Sequence, residues 1–108
     1  MYATIRRYTI ERERMNQLMR DIRQNFVRLI SQVPGFIAYD AVDAGDRLVT
    51  VSMFETKEGA TESTRRTAYY VKGQKAFQLS ELEITEGEVT VHNAAERGIG
   101  ASFTSYTR

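Results

Sequence analysis

Few side chains in this sequence can do acid–base or binding chemistry near neutral pH. His92 is the single histidine, and imidazole alone has an unperturbed pKa close to neutrality. His92 therefore leads as a candidate general acid or base. Tyrosine can orient an aromatic molecule by hydrogen bonding while its ring stacks, which adds Tyr39 and Tyr69 as catalytic candidates and Tyr70 as a substrate contact. Phe54, on a strand neighbouring that of Tyr39, and Phe26, on the inward stripe of a predicted helix, are candidate walls of the same cavity. Arg65 and Arg66 form a pair of planar donor forks suited to an oxyanion, and Arg66 is taken as the candidate contact. Arg6 and Arg7 are adjacent on a predicted strand and point to opposite faces. One of them must face the interior or a protein interface, and because an unpaired buried charge is expensive, a buried arginine there marks a site; Arg6 is the candidate. Each residue also has a plain structural reading: an exposed histidine near a strand end, aromatics packing a core, and an Arg65–Arg66 pair bridged to Glu62.

Other chemistries are excluded by composition. The chain has no cysteine and one histidine, which removes thiolate catalysis, disulfides and the usual zinc constellations; no metal site is expected. There is no Gly-x-Ser-x-Gly elbow. Gly98-x-Gly100 has no helix after it to receive a dinucleotide phosphate, and no cofactor is expected. A formal net charge of +1 gives no electrostatic case for nucleic acid or an anionic membrane. The N-terminal "MYATIRRYTI" lacks the apolar run of a signal peptide and no segment reads as a membrane span, so a cytoplasmic location is expected.

The elements that must position these groups can be read from periodicity. Tyr2 to Thr9 alternates and is rich in β-formers, a strand. Between Glu11 and Val33, Met15, Leu18, Met19, Ile22, Phe26, Leu29, Ile30 and Val33 recur at spacings of three and four, one stripe on a long helix. Pro34-Gly35 stops it. Phe36 to Asp43 and Arg47 to Glu55 form a hairpin across Ala44-Gly45-Asp46. Thr56 is the N-cap of a second helix, Lys57 to Val71, with Ala60, Thr64, Ala68 and Val71 inward. "ELEITEGEVTVHN" is a last strand, and a bulge at Gly87 would put Leu82, Ile84, Val89 and Val91 on one face. The order βαββαβ predicts an α+β, ferredoxin-like antiparallel sheet with two helices on one face. Two helices leave the other face bare. A patch built from several of Leu48, Val49, Val51, Met53 and Ile84 is large for a monomer, and a second copy of the sheet is its simplest cover.

"PGFIAYDAVDAGDRLVTVSMFETKEGA", followed by "STRRTAYYV" and "GEVTVH", resembles the antibiotic biosynthesis monooxygenase-like family of dimeric α/β-barrel proteins across residues 2 to 93. The resemblance implies a homodimer with two facing sheets and a pocket between each sheet and its own helices. It also implies either a cofactor-independent monooxygenase acting on a small aromatic phenol or quinol, or a non-catalytic binding or stress-response module on the same fold. In that family the aromatic ending the third strand is commonly Trp, here Phe54, and the second helix often carries His near Ser63, absent here. The haem-degrading branch uses an Asn, a Trp and a helical His. This chain has no Trp, so haem degradation is not expected. The domain is expected to span residues 1 to 93, with a tail from 94 to 108 that crosses to the partner, anchored by Phe103 and Tyr106.

Overall fold

Alternation in β1 (Tyr2–Thr9) divides its residues between a covered and a bare face: Thr4, Arg6 and Tyr8 are buried, while Ala3, Ile5, Arg7 and Thr9 are half-buried. The computed structural model describes residues 1–95. In it β1 is central, antiparallel to β3 (Arg47–Phe54) on one side and to β4 (Ser80–Glu88) on the other, and β2 (Phe36–Asp43) completes the sheet outside β3. The strand order β2-β3-β1-β4, with the helices on one face, is the ferredoxin-like α+β fold that the element order implies.

The first helical stretch is not a uniform α-helix. A 3-10 turn (Arg12–Arg14) leads into α1 (Met15–Asp21), a π-helical segment (Ile22–Phe26) and α2 (Val27–Ser31). Its buried row, Leu18, Ile22, Phe26 and Ile30, steps by four residues. In an α-helix each such step overshoots a full turn by about 40°, so the row would wind off the sheet. The wider π turn takes up that drift and keeps the row pointing down. Gly35, at φ +81°, reverses the chain after Pro34, and its carbonyl accepts from the Glu55 amide at 2.8 Å.

The β2–β3 hairpin turns as expected. Gly45 takes φ +90°, and its amide donates to Asp43 Oδ1 at 2.9 Å. Thr56 caps α3 (Lys57–Gly73), its hydroxyl accepting from the Gly59 amide at 3.2 Å. The stripe facing the sheet is Gly59, Ala60, Ser63 and Thr67; Thr64 and Val71 are half-buried, and Ala68, expected inward, is exposed. Small residues there let α3 lie close: a Cβ on Gly59 would stand 2.9 Å from the Pro34 carbonyl oxygen and 3.1 Å from Phe54 Cβ.

β4 departs most from expectation. Its bulge lies at Leu82, where the register with β1 shifts between Arg7 and Tyr8, and not at Gly87. The described strand ends at Glu88, so Val91 and His92 lie beyond it, both exposed. Ile84 stands opposite Arg6, on the helix face. α3 packs on β3 and β1 and α2 on β2, while Glu81 through Glu86 are all exposed. The helix side of β4 is therefore open.

The bare face carries Ala3 and Ile5 of β1, Val49, Val51 and Met53 of β3, and Ala38 and Val42 of β2. Leu48 belongs to the other face, 2% exposed against the helices. The apolar stripe is thus narrower than the sequence pattern implied, but no described helix lies over this face. Arg7 and Glu83 pair across it at 2.9 Å. No described helix is long and apolar enough to cross a membrane. The expected crossing of the tail, with Phe103 and Tyr106, lies outside the described residues.

Candidate functional site

The uncovered side of β4 and the close approach of α3 to β1 create a recess on the helix face. Its outer part is a groove of about 320 Å³ between α3 and β4, walled by Thr64, Ala68, Val71 and Lys72 on one side and Glu81 and Ile84 on the other. Arg6 and Tyr8 form its floor. The same two residues, with Thr67 and Val71, also border a tight inner cavity of about 20 Å³ that runs under the helices, room for about one water. Leu18, Ile22, Phe26 and Tyr70 roof the inner part; Tyr39, Leu48, Thr50 and Ser52 lie beneath. Ile22 and Phe26 are the first and last residues of the π segment, so the irregular turn serves this cavity directly.

Aromatic rings line one wall. Phe26 sits with its ring centre 5.2 Å from that of Tyr39 and 4.8 Å from that of Tyr70, both tilted. The Tyr70 hydroxyl donates to Asp21 Oδ2, and Asp21 Oδ1 accepts from Asn25 Nδ2 at 2.8 Å. Burial raises the pKa of Tyr39, and burial followed by the Asp21 hydrogen bond raises that of Tyr70. Tyr8 is pushed up to about 12, by burial first, against the lowering pull of Arg6 and with a further rise from Glu81. All three phenols are neutral at physiological pH. They can donate hydrogen bonds; none is poised as a base.

Arg6 is the unusual member, only 4% exposed on the face where the core lies. Its Nη2 donates to Thr64 Oγ1 at 2.7 Å and its Nη1 approaches Glu81 Oε2 at 3.5 Å. The second contact is long for a charge-assisted hydrogen bond, and the Glu81 side chain is 41% exposed. Among the described residues the buried charge is only partly compensated. Thr50, directly opposite Arg6 on β3, and Ser52 are also buried at the cavity wall. Neither hydroxyl enters a side-chain hydrogen bond among the described residues.

Of the residues singled out from the sequence, Arg6, Phe26, Tyr39 and Tyr70 come together here. The others do not. Tyr69, one position from Tyr70, is 78% exposed on the outer side of α3. Arg66 donates to Glu62 at 2.8 Å and to the Leu29 carbonyl at 3.3 Å, tying α3 to α2. With Arg65 it draws the Glu62 carboxyl down to about 2, the ion-paired arrangement expected of a solvated helix face. Phe54 is fully buried at the far end of β3, edge-on to Phe36 at 5.9 Å, outside the cavity lining. His92 is exposed beyond the end of β4, which removes the imidazole from the cavity and leaves no histidine to hold a haem there. Among the described residues no group of His, Cys, Asp or Glu is gathered to hold a metal.

Tyr8, Thr50, Ser52, Thr67 and Glu81 are cavity or groove residues that sequence reasoning passed over. For Tyr8 a signal existed: it lies two positions from Arg6 on an alternating strand, and so on the same face. Glu81 had none, because only the bulge at Leu82 brings it opposite Tyr8.

No protein-family model and no curated protein matches this chain. Solved structures do match it in shape. A dimeric ferredoxin-like protein from an uncultured marine organism is 11% identical, covers 88% of this chain and 100% of its own, and has a TM-score of 0.66. A point mutant of SnoaB, a cofactor-independent oxygenase from Streptomyces nogalater, is 9% identical over 84% of this chain and 94% of its own, with a TM-score of 0.64. The monooxygenase ActVA-Orf6 of Streptomyces coelicolor, in complex with nanaomycin D, is 10% identical over 86% and 92%, with a TM-score of 0.63. At these identities the likeness is one of fold, and it is the fold that the family resemblance implies.

Proposed function

We propose that this chain is a cofactor-independent oxygenase that binds a small electron-rich phenol or quinol in the recess between its sheet and its helices. The observation that supports this most is the partly compensated Arg6 charge, buried beside three neutral tyrosines in a cavity whose other lining is aliphatic, aromatic or hydroxyl-bearing. A buried cation favours the anionic form of a bound phenol, which is the electron-rich form able to give electrons to oxygen. Tyr39 and Tyr8 donate hydrogen bonds to the phenolic oxygen. Glu81, the one carboxylate lining the groove, accepts the proton. The overall change balances without an external reductant: a phenol and O₂ give a quinone and water. One oxygen atom bonds to the ring carbon, the O–O bond breaks, and the substrate supplies all four electrons. Fold neighbours that are a cofactor-independent oxygenase and a monooxygenase holding nanaomycin D support the same reading.

The same proposal includes a homodimer through the bare sheet face, because Ile5, Val49, Val51 and Met53 form an apolar stripe without cover among the described residues. A dimeric ferredoxin-like neighbour supports it. The test of activity is oxygen uptake by the purified, metal-free protein against a panel of phenols and quinols. Uptake that falls at least about tenfold in Glu81→Gln is expected. No uptake above buffer, with a panel compound still raising the melting temperature, identifies a non-catalytic binding module instead.

A further inference from the structure

The Arg6 guanidinium offers five N–H donors: Thr64 at 2.7 Å and Glu81 at 3.5 Å accept from it, and Tyr8 lies close enough for a hydrogen bond from Arg6 to lower its pKa. Beside it the hydroxyls of Thr50 and Ser52, on residues 6% and 5% exposed, face the same cavity and enter no side-chain hydrogen bond among the described residues. The cluster is built by the sheet register, with Thr50 directly across from Arg6 and Ser52 one pair further along the same face. It holds more donors than a single phenolate oxygen can accept from. A carboxylate, with two oxygens and about four acceptor directions, fits the donor count and the planar fork of the guanidinium.

We propose that the site selects hydroxyaromatic carboxylates, the ligand carboxylate docking from the outer groove on Arg6 in place of Glu81, while Thr50 and Ser52 line the adjoining inner cavity. This inference rests on the reading of the sheet–helix recess as a binding site and names its substrate class. Glu81 is the natural group to yield. Its contact with Arg6 is long, its side chain is 41% exposed, and it sits on the edge strand beside the bulge at Leu82. Once displaced, it is released at the groove to accept the proton of the ring hydroxyl. A phenol without a carboxylate meets Arg6 with one oxygen at most, whereas the carboxylate brings two acceptors and a fixed charge, so the recess favours the acid.

Calorimetric titration of the wild-type protein with para-hydroxybenzoate and para-hydroxybenzamide tests this without any variant, since the two probes share ring and hydroxyl. The acid is expected to bind at least about tenfold more tightly than the amide, a difference of one good charge-assisted contact. Arg6→Gln should bring the two within about threefold, and Glu81→Gln should widen the preference for the acid over the amide at least about threefold, by removing the competing carboxylate. Acid and amide of equal affinity in the wild type, or an acid preference that survives Arg6→Gln, would overturn the proposal. Failure of both probes to bind, with oxygen uptake on neutral quinols intact, would overturn the carboxylate alone. Failure of both probes with no uptake and no thermal shift from any aromatic would overturn the recess as a binding site.

Discussion

Replacing Arg6 with methionine asks whether the buried guanidinium serves the fold or a ligand. In the folded protein the side chain of Arg6 is 5% exposed and its carboxylate partner is 41% exposed, so only one half of the pair is desolvated. Replacing a buried ion pair by apolar side chains is commonly neutral or stabilising by about 1–4 kcal/mol, because the desolvation penalty disappears with the charge. Here the neighbours tolerate the loss. Thr64 keeps its own donation to the Ala60 carbonyl at 3.1 Å, so no donor is orphaned, and Glu81 returns to water. Methionine adapts to the aliphatic surroundings of Leu48 and Val71. The expected outcome is a protein about 0–2 kcal/mol more stable than wild type and unable to prefer an acid over its amide. Urea unfolding at fixed protein concentration, which keeps any linkage to association constant, measures the first part. Glu81→Gln is the counter-perturbation: it replaces the carboxylate facing the guanidinium with a neutral amide and should cost about 1–2 kcal/mol. A loss of more than about 3 kcal/mol in Arg6→Met, the scale of a broken buried pair, would mean that Arg6 is structural and would refute the reasoning.

Three further outcomes follow from the packing. Gly59→Ala forces a Cβ to 2.9 Å from the Pro34 carbonyl oxygen and 3.1 Å from Phe54 Cβ, and should cost about 1–3 kcal/mol in urea unfolding; a neutral result would show that α3 can lift from the sheet. Tyr8 has a folded pKa of about 12 against 10.0 for an ordinary tyrosine. The folded state therefore holds the proton longer than the unfolded state, so the stabilisation is full below pH 10 and is lost as pH rises through 12. That loss is about 3 kcal/mol, and Tyr8→Phe should lack this component of the alkaline destabilisation; an unchanged profile would contradict the burial of that hydroxyl. Val51→Glu places a second carboxylate opposite Asp40, its partner on β2, at the middle of the bare sheet face. Light scattering should shift from twice the 12.4 kDa chain mass to a single chain, and a variant that stays dimeric would move the interface elsewhere.

The fold was largely legible because its signals are local. Alternation in β1, the stripe from Met15 to Val33, Pro34-Gly35, the Gly45 turn and the Thr56 cap each act within a few residues, and together they allow few arrangements. Arg6 was legible for the same reason: adjacent arginines on a strand cannot both avoid the interior. What was not legible depended on register and rotation. A single bulge at Leu82 rather than at Gly87 decides which β4 residues face the recess, and it brings in Glu81. A turn of about 100° per residue on α3 separates the inward Tyr70 from the exposed Tyr69. His92 looked catalytic by residue type, but type says nothing about position, and the end of β4 at Glu88 leaves it outside the recess. The π segment is also invisible to a periodicity of three and four, since its row of fours is shared with an ordinary amphipathic helix.

An aromatic ligand is expected to enter the recess between the sheet and the helices and not the bare face of the sheet. Nuclear Overhauser contacts between the ring protons of para-hydroxybenzoate and assigned methyl groups test it directly, because the two faces carry different methyls. Contacts to Ala68, Val71 and Ile84, which line the outer groove, are expected. Contacts confined to Ile5, Val49 and Val51 on the bare face, or no contacts at ligand concentrations that saturate the calorimetric signal, would contradict it.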